Sequence, residues 1–220
     1  MRWLFAFLSL VLLTAAAPVR DWSATTTRLP SGAMLIGNPA APVKLVEYGS
    51  YTCSHCAAFS MESDKTLKGD MIRRGKVSLE YRHLIRDQLD LGAAILARCS
   101  GTRGFASSSS AIFAAQSVWL KQAIDWAPKH PEVAGYPPLK QARAFVDGAG
   151  LTAMMVKRGL APKQIAACFA NQAEADTIVK LTADAPAAVT YTPTFYLNGA
   201  IVPGVDWTKL EPMLRAKING

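Results

Sequence analysis

Cysteine is scarce in this chain: four among 220 residues. That is too few for a scaffold built of disulfides, and a chain of this length can form a core without such staples. Charge is scarce too, with Asp, Glu, Lys and Arg together at 18% against a usual ~25%. Hydrophobic residues at 50% complete the exclusion of a disordered polyelectrolyte. Only three histidines occur, and neither a second CxxC nor a paired histidine motif accompanies Cys53-Ser54-His55-Cys56. Four ligands for a structural zinc ion are therefore lacking, and no metal is expected. Beyond Leu13 no long apolar run follows, so no membrane span is expected.

The net charge of +8 comes from Lys+Arg 24 against Asp+Glu 16. Lys65, Lys68, Arg73, Arg74, Lys76, Arg82, Arg86, Arg98 and Arg103 are spread out, without a dense arm or interleaved aromatics. They read as a solvated basic surface, and no nucleic-acid partner is implied.

Arg2 precedes an apolar run from Trp3 to Leu13, followed by Thr14-Ala15-Ala16-Ala17-Pro18. This is the pattern of a secretory leader over residues 1–17, too short to span a bilayer. Export to the periplasm, or an equivalent compartment, would place the cysteines where disulfides persist.

Along the chain, Gly37-Asn38-Pro39-Ala40-Ala41-Pro42 is a turn cluster leading into Val43–Tyr48, which reads as a buried strand. Gly49 to Thr52 crosses to Cys53, and helical composition continues to about Ile72. Gly75 breaks it, and Val77–His83 alternates as a strand does. Residues 25–88 thus form a βαβ unit with the CxxC at its first crossover. Residues 89–171 read as Ala-rich helices: Gly92–Cys99, Ser110–Lys121, Leu139–Val146, Leu151–Arg158 and Pro162–Phe169. Breaks are expected at Gly101–Gly104, Pro128–Pro138, Gly148–Gly150 and Gly159, with Ser107–Ser110 serving as loop and helix cap. Residues 172–220 return to α-β-β-α. Asn171 to Ala185 offers a helix, and Thr190–Leu197 and Ala200–Gly204 are β-rich runs flanking Asn198-Gly199, the strongest short hairpin signal. Asp206 or Thr208 caps a last helix. The class is α/β, a mixed sheet flanked by helices with an all-helical insert.

At a helix start, Cys53 lies over unpaired backbone N–H groups, which favour its thiolate, and Cys56 three residues on shares its face. Cys53 is thereby the attacking sulfur and the better leaving group. An imidazolium at His55 would add positive charge beside it.

The stretch Gly37-Asn38-Pro39 through Val46-Glu47-Tyr48 to Cys53-Ser54-His55-Cys56, with Thr192-Pro193-Thr194-Phe195 and Asn198-Gly199 to Pro203-Gly204, resembles the DsbA-like branch of the thioredoxin superfamily. The resemblance implies a thioredoxin fold with a helical insert and a redox-active Cys53–Cys56 disulfide. Glu47 takes the place of a buried acid that moves protons for the second cysteine. Pro193 takes that of a cis-proline whose loop, with Thr192, binds extended substrate. Thr192 departs from the valine of the best-known oxidase and looks more like the isomerase members. Isomerases, however, usually carry an N-terminal dimerisation domain, and only about 25 residues separate the leader from the first strand here. A monomeric oxidase is therefore expected, acting on unfolded or partly folded secreted proteins with free cysteines. Re-oxidation would fall to a DsbB-like membrane protein, and no organic cofactor is implied.

Cys99 and Cys168 can pair in an oxidising compartment or stay as buried thiols acting as small apolar residues. Some DsbA-like proteins carry a second disulfide in this region, which favours the pairing Cys53 with Cys56 and Cys99 with Cys168.

Overall fold

A computed structural model of the chain describes residues 20–204 and 206–220. The leader expected over residues 1–17 lies outside the described residues. Six strands form one sheet in the order β1-β2-β4-β3-β5-β6. They are β1 (Thr26–Arg28), β2 (Met34–Gly37), β3 (Val43–Gly49), β4 (Val77–His83), β5 (Thr194–Leu197) and β6 (Ala200–Val202). Only β3 and β4 run parallel, pairing Glu47 with Tyr81 and Gly49 with His83; the other neighbours are antiparallel. A parallel pair needs a crossover, and α1 (Ser54–Ser63) with the wider π-type turns Asp64–Ile72 provides it.

The hairpin β5–β6 turns at Asn198 and Gly199, both at positive φ (47° and 85°), as a tight turn matching strand twist requires. Asn198 also ties the turn to β3, its Oδ1 accepting from Lys44 N at 2.7 Å. The strand begins at Thr194 rather than Thr190, because residues 190–193 form a loop over the start of α1. Strand β1 was not legible: its threonines sit at an edge, exposed or half-buried, and lack an apolar alternation.

The helices following β4 are α2 (Gln88–Cys99), α3 (Gly101–Ala114), α4 (Gln116–Trp126), α5 (Pro138–Gly148), α6 (Leu151–Lys157) and α7 (Pro162–Phe169). The break expected at Gly101–Gly104 and the serine loop 107–110 both fall inside α3, which corrects those readings. The hydroxyls fit a helix by bonding locally: Ser110 Oγ donates to Ala106 O at 3.0 Å, and Ser108 pairs with Ser100 at 2.6 Å. The single helix expected over Ser110–Lys121 instead divides at Ala115. Helix α2 is buried from Asp90 to Cys99. At Gly92 a Cβ would lie 2.6 Å from Ala142 O, so glycine lets α5 approach.

Arg98, read from sequence as surface charge, is 7% exposed. Its guanidinium donates to Glu174 Oε1 (2.5 Å) and Gly32 O (2.8 Å), joining α2 to α8 (Gln172–Ala183) and to the β1–β2 turn. Helix α9 (Trp207–Asn219) closes the fold, with Asp206 as its cap accepting from Lys209 N. Under α1 and α9, Phe59 packs against Phe195 with ring centroids 4.6 Å apart and Trp207 beyond at 6.0 Å.

Cys99 at the end of α2 is bonded to Cys168 in α7, across a sequence separation of 69. By chain entropy, closing a loop of that size contributes about 4 kcal/mol. Replacing both cysteines by alanine should lower the melting temperature by about 10 °C, read by calorimetry. A fall of less than about 2 °C would refute the entropic account.

Candidate active site

Strand β3 ends at Gly49, and the chain crosses through Ser50–Thr52 to Cys53, the cap residue of α1, in extended conformation (φ −90°, ψ 120°). Cys53 and Cys56 are buried, whereas Ser54 and His55 are exposed. The loop from β5 lies across this helix start. Its Thr192–Pro193 peptide is cis, and Cys53 Sγ approaches Thr192 O at 3.2 Å. Residues 139 positions apart thus meet at one sulfur.

Two hollows open beside it. One, of about 370 Å³, is lined by His55, Phe59, Tyr191, Pro193 and Trp207. The other, of about 650 Å³, is lined by Cys53, Leu84, Arg86, Leu120 and Thr192. Hollows with largely apolar walls can take the side chains of a polypeptide.

Both cysteines of the motif are free thiols here, in place of the disulfide expected between them. The hydrogen bonding between the two thiols explains the electrostatics. The Cys53 thiol is pulled down from 9.0 to about 5. The Cys56 thiol donating to its sulfur is the largest cause, followed among the favourable ones by the Thr192 hydroxyl and the backbone N–H groups of Cys56 and His55; burial opposes them. The main chain of His55 is thus one of the groups that favour the Cys53 thiolate. Cys56 is pushed far up, first by burial, then by giving its hydrogen bond to Cys53, and by the Glu47 charge. The pair is asymmetric: one sulfur ionises readily and the other holds its proton.

Glu47 is 3% exposed in the middle of β3. Burial pushes its carboxyl from 4.5 up to about 8, against the pull of Lys68. A small cavity of about 20 Å³, lined by Glu47, Ser63, Lys68, Tyr81 and Ser109 among others, is large enough for a water molecule. Lys68, read from sequence as solvated, has a side chain only 18% exposed. Its ammonium donates to Ser110 Oγ at 2.5 Å and lies 3.5 Å from Asp64 at the surface. A water held in that cavity would link the buried acid through Lys68 toward the exposed Asp64.

Two side chains that sequence reasoning missed also belong to the site. Asp90, fully buried in the first turn of α2, accepts from Ser50 Oγ (2.6 Å), Tyr51 N (2.7 Å) and Arg86 N (3.1 Å). Burial raises its carboxyl from 3.8 to about 7 despite those donors. Gln116 at the start of α4 donates to Tyr51 O and Cys53 O. A polar residue in a helix carries no sequence signal for such a role.

Cys99 and Cys168 are not part of this cluster. Among the described residues no group of three or more His, Cys, Asp or Glu is placed to hold a metal, and none of their helices is long and apolar enough to cross a membrane.

The family model described as Thioredoxin matches residues 30–216. The chain belongs to the thioredoxin family. It is 30% identical to a solved structure titled protein-disulfide isomerase from Novosphingobium aromaticivorans, over 84% of this chain and 97% of that one, with a TM-score of 0.78. Wolbachia pipientis alpha-DsbA1 has the same fold: TM-score 0.68 at 21% identity, covering 87% of this chain and 92% of that one. A Rickettsia typhi protein named "Putative protein-disulfide oxidoreductase" is 29% identical over 79% of this chain. The chain spans 57% of the length of that curated relative. The fold shared with alpha-DsbA1 is here a thioredoxin sheet with helices inserted between β4 and α8.

Proposed function

We propose that the protein is an exported thiol–disulfide oxidoreductase that introduces disulfides into secreted proteins. The observation that carries this reading is the asymmetry of the pair: Cys53 down at about 5 beneath the Pro193 loop, Cys56 far above an ordinary thiol. A couple whose reduced form is stabilised at one sulfur is a willing acceptor of electrons.

In the forward direction a substrate thiolate attacks Cys53 Sγ of the closed Cys53–Cys56 disulfide. A substrate–Cys53 bond forms as the Cys53–Cys56 bond breaks, and Cys56 leaves as a thiolate that takes a proton. Glu47, neutral below about pH 8 and close enough for its charge to act on Cys56, is the proposed donor. A second substrate thiolate then attacks the substrate sulfur of the mixed disulfide and expels the Cys53 thiolate. Two electrons have passed from the substrate cysteines to the pair. A DsbB-like membrane protein is the proposed acceptor that removes them, and the leader at residues 1–17 supports a periplasmic site of action. The chain is proposed to work as a monomer, with His55 and Thr192 lining the substrate groove.

A reduction potential measured against glutathione tests this. We expect a value less negative than about −180 mV; a thioredoxin-like potential near about −270 mV would overturn the oxidase reading. The relative titled protein-disulfide isomerase at 30% identity favours isomerisation as the second reading. Recovery of activity from a scrambled substrate without added oxidant would select it.

A further inference from the structure

The loop that delivers Cys53 to α1 has no regular structure of its own, so its polar groups must find partners elsewhere. Ser50 Oγ goes to Asp90 at 2.6 Å and Tyr51 N to the same carboxylate at 2.7 Å. Thr52 N turns back to Ser50 Oγ (3.2 Å), and Thr52 Oγ1 reaches Asp87 (3.3 Å). Cys53 N bonds to Ser50 O at 3.3 Å. The carbonyls of Tyr51 and Cys53 remain, and one group serves both: Gln116 Nε2 donates to them at 2.7 and 2.8 Å. Gln116 is 5% exposed and comes from α4, 63 positions beyond Cys53. The thioredoxin sheet supplies none of these side-chain partners from outside the loop; they come from helices α2 and α4 and the cap of α2.

We infer that Gln116 is a positioning residue for the nucleophile, fixing Cys53 at the cap of α1 so that the backbone N–H groups of His55 and Cys56 aim at its sulfur. This rests on Cys53 being the exchanging sulfur. The Cys53 carbonyl also accepts from Ala57 N at 3.2 Å, the first bond of α1. The amide of Gln116 therefore sets the plane of the peptide that starts the helix, and the direction of the Cys53 side chain follows from it. The orphan donors of a helix start stabilise an anion only when it sits over them, so a small rotation here weakens the thiolate.

Two substitutions separate positioning from packing. Gln116→Met keeps the shape and removes the donor; Gln116→Glu keeps the shape and turns acceptor oxygens toward two carbonyls. The readout is the pH profile of Cys53 alkylation in the reduced protein, together with the melting temperature. At pH 5 the alkylation rate should fall about threefold in Gln116→Met and about tenfold in Gln116→Glu, the second adding a nearby negative charge. The profiles should move to higher pH in that order. Gln116→Asn, whose amide is too short to span both carbonyls, should behave like Gln116→Met.

Profiles superimposable on wild type, whatever happens to melting, would overturn the inference, and so would a shift confined to Gln116→Glu. Should the Glu variant fail to fold, Gln116→Met and Gln116→Asn decide. The proposed activity is judged on the wild-type profile and potential alone, and the positioning role on the difference between variant and wild type, so each can fail without the other.

Discussion

Alanine at Cys56 should lock substrate onto Cys53, and alanine at Cys53 should abolish exchange. Turnover of a dithiol peptide is expected to fall about a thousandfold or more in Cys53→Ala, since Cys56 is buried and holds its proton. In the normal pair, Cys56 stands three residues away and can attack a stalled mixed disulfide as an intramolecular thiol, an advantage that in well-oriented systems exceeds any practical external thiol concentration. Without it, the mixed disulfide should survive at least ~100-fold longer and be recoverable by non-reducing electrophoresis. Cys56→Ala carries a second signature. The Cys56 thiol is the largest single cause of the low Cys53 value, while the Thr192 hydroxyl and the backbone N–H groups survive the substitution. Half-maximal alkylation should therefore move above the wild-type value of about 5 and stay below 9.0. An unshifted profile would mean that the helix end alone stabilises the thiolate, and rapid clearance of the mixed disulfide would remove Cys56 from the mechanism.

The parts of this molecule that were legible in the sequence are those specified by neighbouring residues. Val77–His83 alternates on a two-residue period and forms β4 over those residues, and Asn198-Gly199 turns β5 into β6 because few other pairs tolerate positive φ twice. Cys53 at a helix start could be read from the switch between strand and helix composition. What was missed depends on distance in space. Lys68 and Arg98 were indistinguishable from surface cations, because a long aliphatic stem can carry its head to a partner far away in sequence, Ser110 for Lys68 and Glu174 for Arg98. Ser107–Ser110 looks like a loop until the helix places the Ser110 hydroxyl at a carbonyl and the Ser108 hydroxyl at Ser100. Asp90 and Gln116 carry no local mark at all. Their role exists only because the insert folds back against the loop before Cys53, and the burial of Glu47 in β3 likewise follows from what packs over it.

Glu47 gives the largest expected effect on stability, and its sign can be worked out. Its carboxyl stands at 4.5 when exposed and at about 8 in the folded protein, so the native state favours the protonated form. Below about pH 4.5 both states bind the proton and the group costs nothing as a charge. As pH rises toward 8 the unfolded chain releases its proton and the folded chain keeps it, so stability is lost through this window and levels off above it. The difference corresponds to about 5 kcal/mol at pH 9. Glu47→Gln, which cannot ionise, should match wild type near pH 4 and exceed it by nearly that amount at pH 9, read by urea unfolding of the glutathione-reduced protein. Asp90, raised from 3.8 to about 7 by burial, imposes a similar slope at lower pH, and the variant should keep that part. The same substitution removes the proton proposed for the departing Cys56 thiolate, so opening of the disulfide by substrate should slow at pH 7 while folding becomes more favourable. Parallel stability curves for wild type and Glu47→Gln between pH 5 and pH 9 would mean that the buried carboxyl titrates as if exposed, and the proton path through Lys68 would lose its source.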